Sequence, residues 1–118
     1  MEAGRVRYRI VAAERDGQWT ARAEREDTGR PFGIECTGAM EGEAVDRLSR
    51  WLDWQSEHAA ALVELQAAER HYHRTVAAAA GGQSDAPAIA AKAETLRALD
   101  AARGNLDHVR SRKPEQSP

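Results

Sequence analysis

Between Glu43 and Ala80 the chain contains neither proline nor glycine. Nothing in that stretch ends a helix once one has started. Proline would remove a backbone donor and clash with the preceding turn, and glycine would weaken helix propensity by about 1 kcal/mol. The segment opens as "EGEAVDRLSRWLDWQ", in which Ala44, Val45, Leu48, Trp51 and Leu52 fall on one stripe at the helical period. The pattern predicts a single helix over residues 41–80, roughly 60 Å long at about 1.5 Å per residue. A strand of about 6 residues spans only roughly 20 Å. A helix this long therefore outruns any small sheet it covers, and its distal half needs a second partner.

The residues that follow supply one. "GGQSDAP" at 81–87 breaks the pattern. Gly81 suits the left-handed position after a helix end, Ser84 or Asp85 can cap a new helix, and Pro87 fits its first turn. A second helix is predicted over residues 86–111, with Ile89, Ala93, Leu96, Leu99, Leu106 and Val109 along one side. Residues 55–80 match its length, so the two pair as an antiparallel hairpin, and residues 41–54 are left to cover a sheet. Folding the hairpin about residue 83 sets Leu62 near Gly104, Glu69 near Arg97 and His58 near His108. The stripe Leu62, Leu65, Glu69, Tyr72 and Val76 then forms the seam, with Arg97 answering the one acidic side chain in it. Residues 113–118 are expected to be a disordered tail.

The sheet comes first in the chain. "RVRYRIVAAE" alternates, with Val6, Tyr8, Ile10 and Ala12 on one face and Arg5, Arg7 and Arg9 on the other. Asp16-Gly17 then marks a two-residue hairpin turn, because both central positions of that turn need positive φ. If this is the turn, Ala12 faces Ala21 and Ile10 faces Ala23, while Arg9 meets Glu24 and Arg7 meets Glu26. One assumption thus satisfies both faces: apolar opposite apolar, and opposite charges paired across the strands. "DTGR" at 27–30 is a second turn, and "PFGIECT" a third strand carrying Phe32, Ile34 and Cys36 on one face. Pro31 fits its start, since proline cannot donate to a ladder. The fold class is therefore α+β: a three-stranded antiparallel β-meander over 5–37, packed on a long α-helix that continues into an antiparallel two-helix hairpin. Residues 1–112 form a single domain in this reading.

Charge and cysteine usage narrow the setting. The formal net charge of -2 gives no global field for nucleic acid or anionic membranes. The single cysteine, Cys36, allows no internal disulfide, which fits a reducing cytoplasm. No apolar segment follows Arg5, Arg7 and Arg9, so no signal peptide is expected, and no uncharged run approaches a membrane span. Only Lys92 and Lys113 are lysines among the 17 cationic residues, and alanine is abundant, which points to a high-GC bacterial genome.

The stretch that most resembles a chemical site is "ERHYHRT" at 69–75. On a helix, His71 and His73 lie about 200° apart and cannot share an ion. Glu69 and His73 are one turn apart and can, so a metal-dependent helical-bundle enzyme using Glu69, His73 and His58 is kept as a rival reading. The paired Glu-x-x-His of di-iron bundles is absent from the helices, and so is His-Glu-x-x-His. No Gly-x-Ser-x-Gly is present, and "GRPFG" and "TGAMEG" lack the phosphate-loop lysine. Cys36 sits in an apolar strand pattern, as inert buried thiols do. No catalytic residue, cofactor or metal is expected. A nucleic-acid reading would use Arg5, Arg7, Arg9 and Arg22 on the outer sheet face, but Glu24, Glu26 and Glu35 share that face.

Protein binding has the best pointer. Trp54 falls off the apolar stripe, on the side of Arg47 and Arg50, and tryptophan and arginine are enriched in interface hot spots. An alanine-rich two-helix hairpin buries little apolar surface alone, so pairing with a second copy as a four-helix bundle is expected, through Leu62, Leu65, Glu69, Tyr72 and Arg97. The expected partners are a second copy of the chain and an unidentified protein.

The segments "YRIVAAERDGQWTARAE" and "ECTGAMEGEAVDRLSRWL" resemble the N-terminal part of HicB-like antitoxins. The matching positions are Tyr8, Asp16, Gly17, Trp19, Thr37, Glu43 and Ala44, and the resemblance covers residues 5–55. The family's Pro-Asp-Leu-Pro-Gly type segment is replaced by "EDTGRPFG", and its C-terminal DNA-binding module by the helical hairpin. What the resemblance implies is a small regulatory binding domain.

Overall fold

The computed structural model describes residues 7–80 and 86–115. Arg5, Val6, Gly81, Ser84, Asp85 and the last three residues of the expected tail lie outside the described residues. The element order is β1 (Tyr8–Arg15), β2 (Gln18–Arg25), β3 (Pro31–Gly38), α1 (Glu41–Ala80) and α2 (Ala86–Ser111). The architecture is the α+β one read from the sequence, with an open antiparallel sheet in the order β1-β2-β3. Two compact units divide the chain. Residues up to Trp54, together with those from Lys113, make the first; Gln55–Arg112 make the second. α1 contributes to both. No helix among the described residues is long and apolar enough to cross a membrane.

The β1–β2 register follows from the turn. Asp16 and Gly17 take φ values of 54° and 78°, the two positive angles a type I′ turn requires. Ala12 then pairs with Ala21, Ile10 with Ala23 and Arg9 with Glu24. The Glu26 amide donates to the Arg7 carbonyl at 3.0 Å, extending the ladder past Tyr8. The second turn is closed by Gly29 and Arg25: the Gly29 amide donates to the Arg25 carbonyl at 2.8 Å.

The third strand departs from plain alternation. Arg22 pairs with Glu35, but Ala23 pairs with Phe32, so Gly33 and Ile34 are extra residues on β3. Gly33 absorbs the bulge at φ 81°. An insertion of two residues is even, so it leaves face parity intact, whereas a one-residue slip would invert it. Cys36 therefore remains beside Ala21 on the buried face. Phe32 packs against the same core and stacks on Tyr8, ring centroids 5.6 Å apart, so an aromatic pair bridges the two outer strands.

α1 covers that face. Ala21, Ala23, Cys36, Ala44 and Leu48 are fully buried, with Trp51 and Leu52 nearly so. The alanines of β2 matter here, because a bulkier middle strand would hold the helix off the sheet. Gly38 makes the same concession at the strand end: a Cβ there would sit 2.8 Å from the Ala44 nitrogen. Glu41 and Glu43 lie in the first turn of α1, where carboxylates oppose the helix dipole favourably.

In the second unit, α2 buries Thr95, Leu99, Ala102, Leu106 and Val109, a heptad-like row with spacings of three and four. Ala61 is the buried residue of α1 there, and Leu62, Leu65, Glu69, Tyr72 and Val76 are all half-buried. Ile89 and Leu96, expected in the seam, are 63% and 40% exposed. The reason lies in continuity. The row through Ile89, Ala93 and Leu96 runs on into Asp100, Arg103 and Asp107, whereas the row from Thr95 to Val109 meets no charge. A seam two helices long takes the uninterrupted row.

Candidate functional site

Of the side chains that the sequence singles out for protein binding, the first unit carries Arg47, Arg50 and Trp54. Arg47 lies on α1 beside the end of β3. Its Nη1 donates to the Thr37 carbonyl oxygen at 2.7 Å, and its Nη2 lies 2.7 Å from the Glu43 carboxylate, one turn back. Arg50 pairs with Asp46, also one turn back on the same helix. Trp54 is half-buried, with its ring centroid 6.4 Å from that of Trp51 and tilted by 49°. Trp51 belongs to the core, and its indole nitrogen has no hydrogen-bond acceptor among the described residues. Its ring, not its N–H, is what the core uses.

The other wall of this surface comes from the far end of the chain. Lys113 Nζ lies 5.8 Å from the centroid of the Trp54 ring, within the range of a cation–π contact. Pro114 is half-buried. Arg47, Arg50, Pro114 and Glu115 together line a shallow pocket of about 300 Å³. Sequence reading identified Trp54, Arg47 and Arg50 but not Lys113, Pro114 or Glu115. No local signal connects residue 54 to residue 113; the connection exists only once the chain is folded.

In the second unit, side-chain contacts join α2 to α1. Arg110 Nε donates to His58 Nε2 at 3.4 Å, and Arg112 pairs with Glu57 at 3.1 Å. Arg97, two positions away from both Thr95 and Leu99, points off the seam and is exposed. No ion pair or hydrogen bond joins Glu69 to Arg97 among the described residues.

"ERHYHRT" lies within α1. Glu69, Tyr72 and Thr75 are half-buried, while His71 and His73 are exposed. The Thr75 hydroxyl donates to the His71 carbonyl at 2.9 Å, a bond that occupies backbone rather than a ligand. Among the described residues no three His, Cys, Asp or Glu side chains converge as metal ligands would.

On the outer sheet face, Arg9 and Arg22 both lie against Glu24, at 3.7 Å and 3.1 Å. That carboxylate neutralises part of the basic surface that a nucleic-acid reading needs. A shallow pocket of about 190 Å³ on this face is lined by Val11, Ala13, Thr20, Arg22 and Glu35 among others. Cys36 is fully buried, and burial pushes its thiol above the ordinary range, with the Arg47 charge opposing weakly. A thiol so placed is a poor nucleophile.

No family model, curated protein or solved structure matches this chain.

Proposed function

We propose that the chain is a non-catalytic assembly and protein-interaction module that self-associates through its helical hairpin. The observation that carries this reading is the thinness of the second unit's core. Among the described residues its buried side chains are Ala61, Thr95, Leu99, Ala102, Leu106 and Val109, of which three are large and apolar. Val63, Ile89 and Leu96 are meanwhile 62%, 63% and 40% exposed. Ordering two helices costs backbone entropy at every residue, and so few buried groups offset little of it. A second hairpin laid on the row Ile89, Ala93 and Leu96 makes a four-helix bundle and removes those side chains from water. Arg97 follows Leu96 in sequence and can cover the rim of that contact with its aliphatic stem. Leu62, Leu65, Glu69 and Tyr72 keep their place in the seam of each hairpin.

From the resemblance of residues 5–55 to HicB-like antitoxins we carry over only the class, a small regulatory binder. A role in catalysis has less to work with. The thiol is buried, and the Glu69–His73 pair has no third ligand beside it among the described residues.

Sedimentation equilibrium tests the proposal. A two-chain mass at micromolar concentration is expected. A single-chain mass held to about 100 μM overturns it.

A further inference from the structure

We propose that Arg47, Arg50 and Trp54 form a docking site for a short extended peptide presenting a cation, then a proline, then a carboxylate, and that the chain's own Lys113-Pro114-Glu115 fills it in cis. All six residues belong to the first unit, so the inference stands apart from association through the hairpin.

Each position of the segment finds a complementary feature. The Lys113 ammonium lies over the Trp54 ring at 5.8 Å, where the electron-rich face attracts a cation. On α1 the same ring lies beside the core residue Trp51, at 6.4 Å between centroids. Pro114 is half-buried while the residues on either side of it are exposed, so the ring at the centre of the segment is what settles against the protein. Proline suits that position. Its φ is already restricted, so less entropy is lost on docking, and it asks no hydrogen bond of the surface. Glu115 then lines the pocket that Arg47 and Arg50 also line. Those guanidiniums are held by Glu43, Asp46 and the Thr37 carbonyl, which orients them before any ligand arrives. The site is thus preorganised by α1 and β3, and its occupant is a three-residue stretch with no secondary structure of its own.

The consequence is a strap that can be exchanged. A single cation–π contact at a partly exposed site is weak by itself. A contact that weak is held because the tether keeps its local concentration high. A second peptide of the same cation-proline-carboxylate pattern, at comparable effective concentration, displaces it and takes the Trp54 surface.

The test uses the intact chain, a chain ending at Arg112, and the free peptide of residues 112–118. The reporter is the Trp54 indole N–H signal in NMR, identified by its loss in Trp54→Phe. Ending the chain at Arg112 is expected to move that signal and leave the Trp19 signal in place. Lys113→Glu in the intact chain is expected to move it the same way. Adding the peptide at millimolar concentration to the shortened chain is expected to return it toward its position in the intact chain. The intact chain should need at least tenfold more peptide to show any response. A Trp54 signal that neither the shortened chain nor Lys113→Glu displaces overturns the proposal, and so does one that the added peptide leaves unmoved. The sedimentation mass of the shortened chain reads hairpin association separately, so failure of one proposal is distinguishable from failure of the other.

Discussion

Arg47 donates to the carbonyl oxygen of Thr37 at 2.7 Å and so ties the second turn of α1 to the last residues of β3. The bond is charge-assisted, and Arg47 is half-buried, with 22% of its side chain exposed. Removing the guanidinium leaves a sheltered carbonyl without its donor. We expect Arg47→Ala to destabilise the protein by about 1.5–3 kcal/mol, the usual range for a hydrogen bond to a charged group. Arg50 offers the control. It is an arginine three residues on whose partner, Asp46, is exposed on the same helix. Exposed pairs of this kind contribute little, so Arg50→Ala should stay within about 0.5 kcal/mol of the parent. Urea titration with an unchanged slope checks both. Equal losses in the two variants would show that the Thr37 contact has no special weight.

Gly38 and Gly42 make a second matched pair. A Cβ at Gly38 would lie 2.8 Å from the Ala44 nitrogen and 3.0 Å from the Glu43 Cβ. Both obstacles belong to the first turn of α1, which cannot withdraw without lifting the helix from the sheet. At Gly42 nothing lies within 4 Å of the added carbon. Gly38→Ala should therefore cost about 1–3 kcal/mol, as overpacking does. Gly42→Ala should gain about 0.5–1 kcal/mol by helix propensity alone. Thermal melts of the two variants should move in opposite directions.

The sheet was legible because its signals are local. Asp16-Gly17 names a turn type, the turn fixes the register, and the register matches Ile10 to Ala23 and Arg9 to Glu24. The long helix was legible from the same kind of local fact, an unbroken run without proline or glycine. The β3 bulge was not, because Gly33 can occupy positive φ but nothing in "PFGIECT" requires it. The seam of α2 was mis-phased for a different reason. Weighing residues by hydrophobicity selects Ile89 and Leu96, but packing selects the row that runs from Thr95 to Val109 without a charge. The contact between Lys113 and Trp54 was illegible in principle, since it depends on where the end of the chain arrives.

Cys36 gives a prediction that depends on pH. Burial raises its thiol above the ordinary range. The folded state therefore favours the neutral form. The stability this provides is fully present below the unfolded thiol's own pKa and is lost as pH rises through the higher folded value. Labelling by a disulfide reagent at pH 8 should be slow in the folded protein, at least tenfold slower than in denaturant. Rapid labelling of the folded chain at that pH would contradict both the burial and the direction of the shift.

Leu99 and Leu96 lie three residues apart on α2 and should behave oppositely. Leu99 is 3% exposed and Leu96 is 40% exposed. Truncating a buried leucine costs the transfer term and leaves a cavity, so Leu99→Ala should lose about 2–4 kcal/mol. That loss belongs to the hairpin itself and should appear at every protein concentration. Leu96 and Ile89 instead form the face proposed to meet a second copy. The double change Ile89→Asp and Leu96→Asp should leave the helical circular dichroism of a dilute sample unchanged, because neither residue fills a core. It should convert the two-chain mass to a single-chain mass, since carboxylates buried in a bundle would have to be desolvated without partners. It should also abolish the rise of the melting temperature with protein concentration that an associating parent shows. A double variant that keeps the parent's mass would move the interface to another face of the hairpin. One that loses helicity when dilute would show that Ile89 and Leu96 support the hairpin from within.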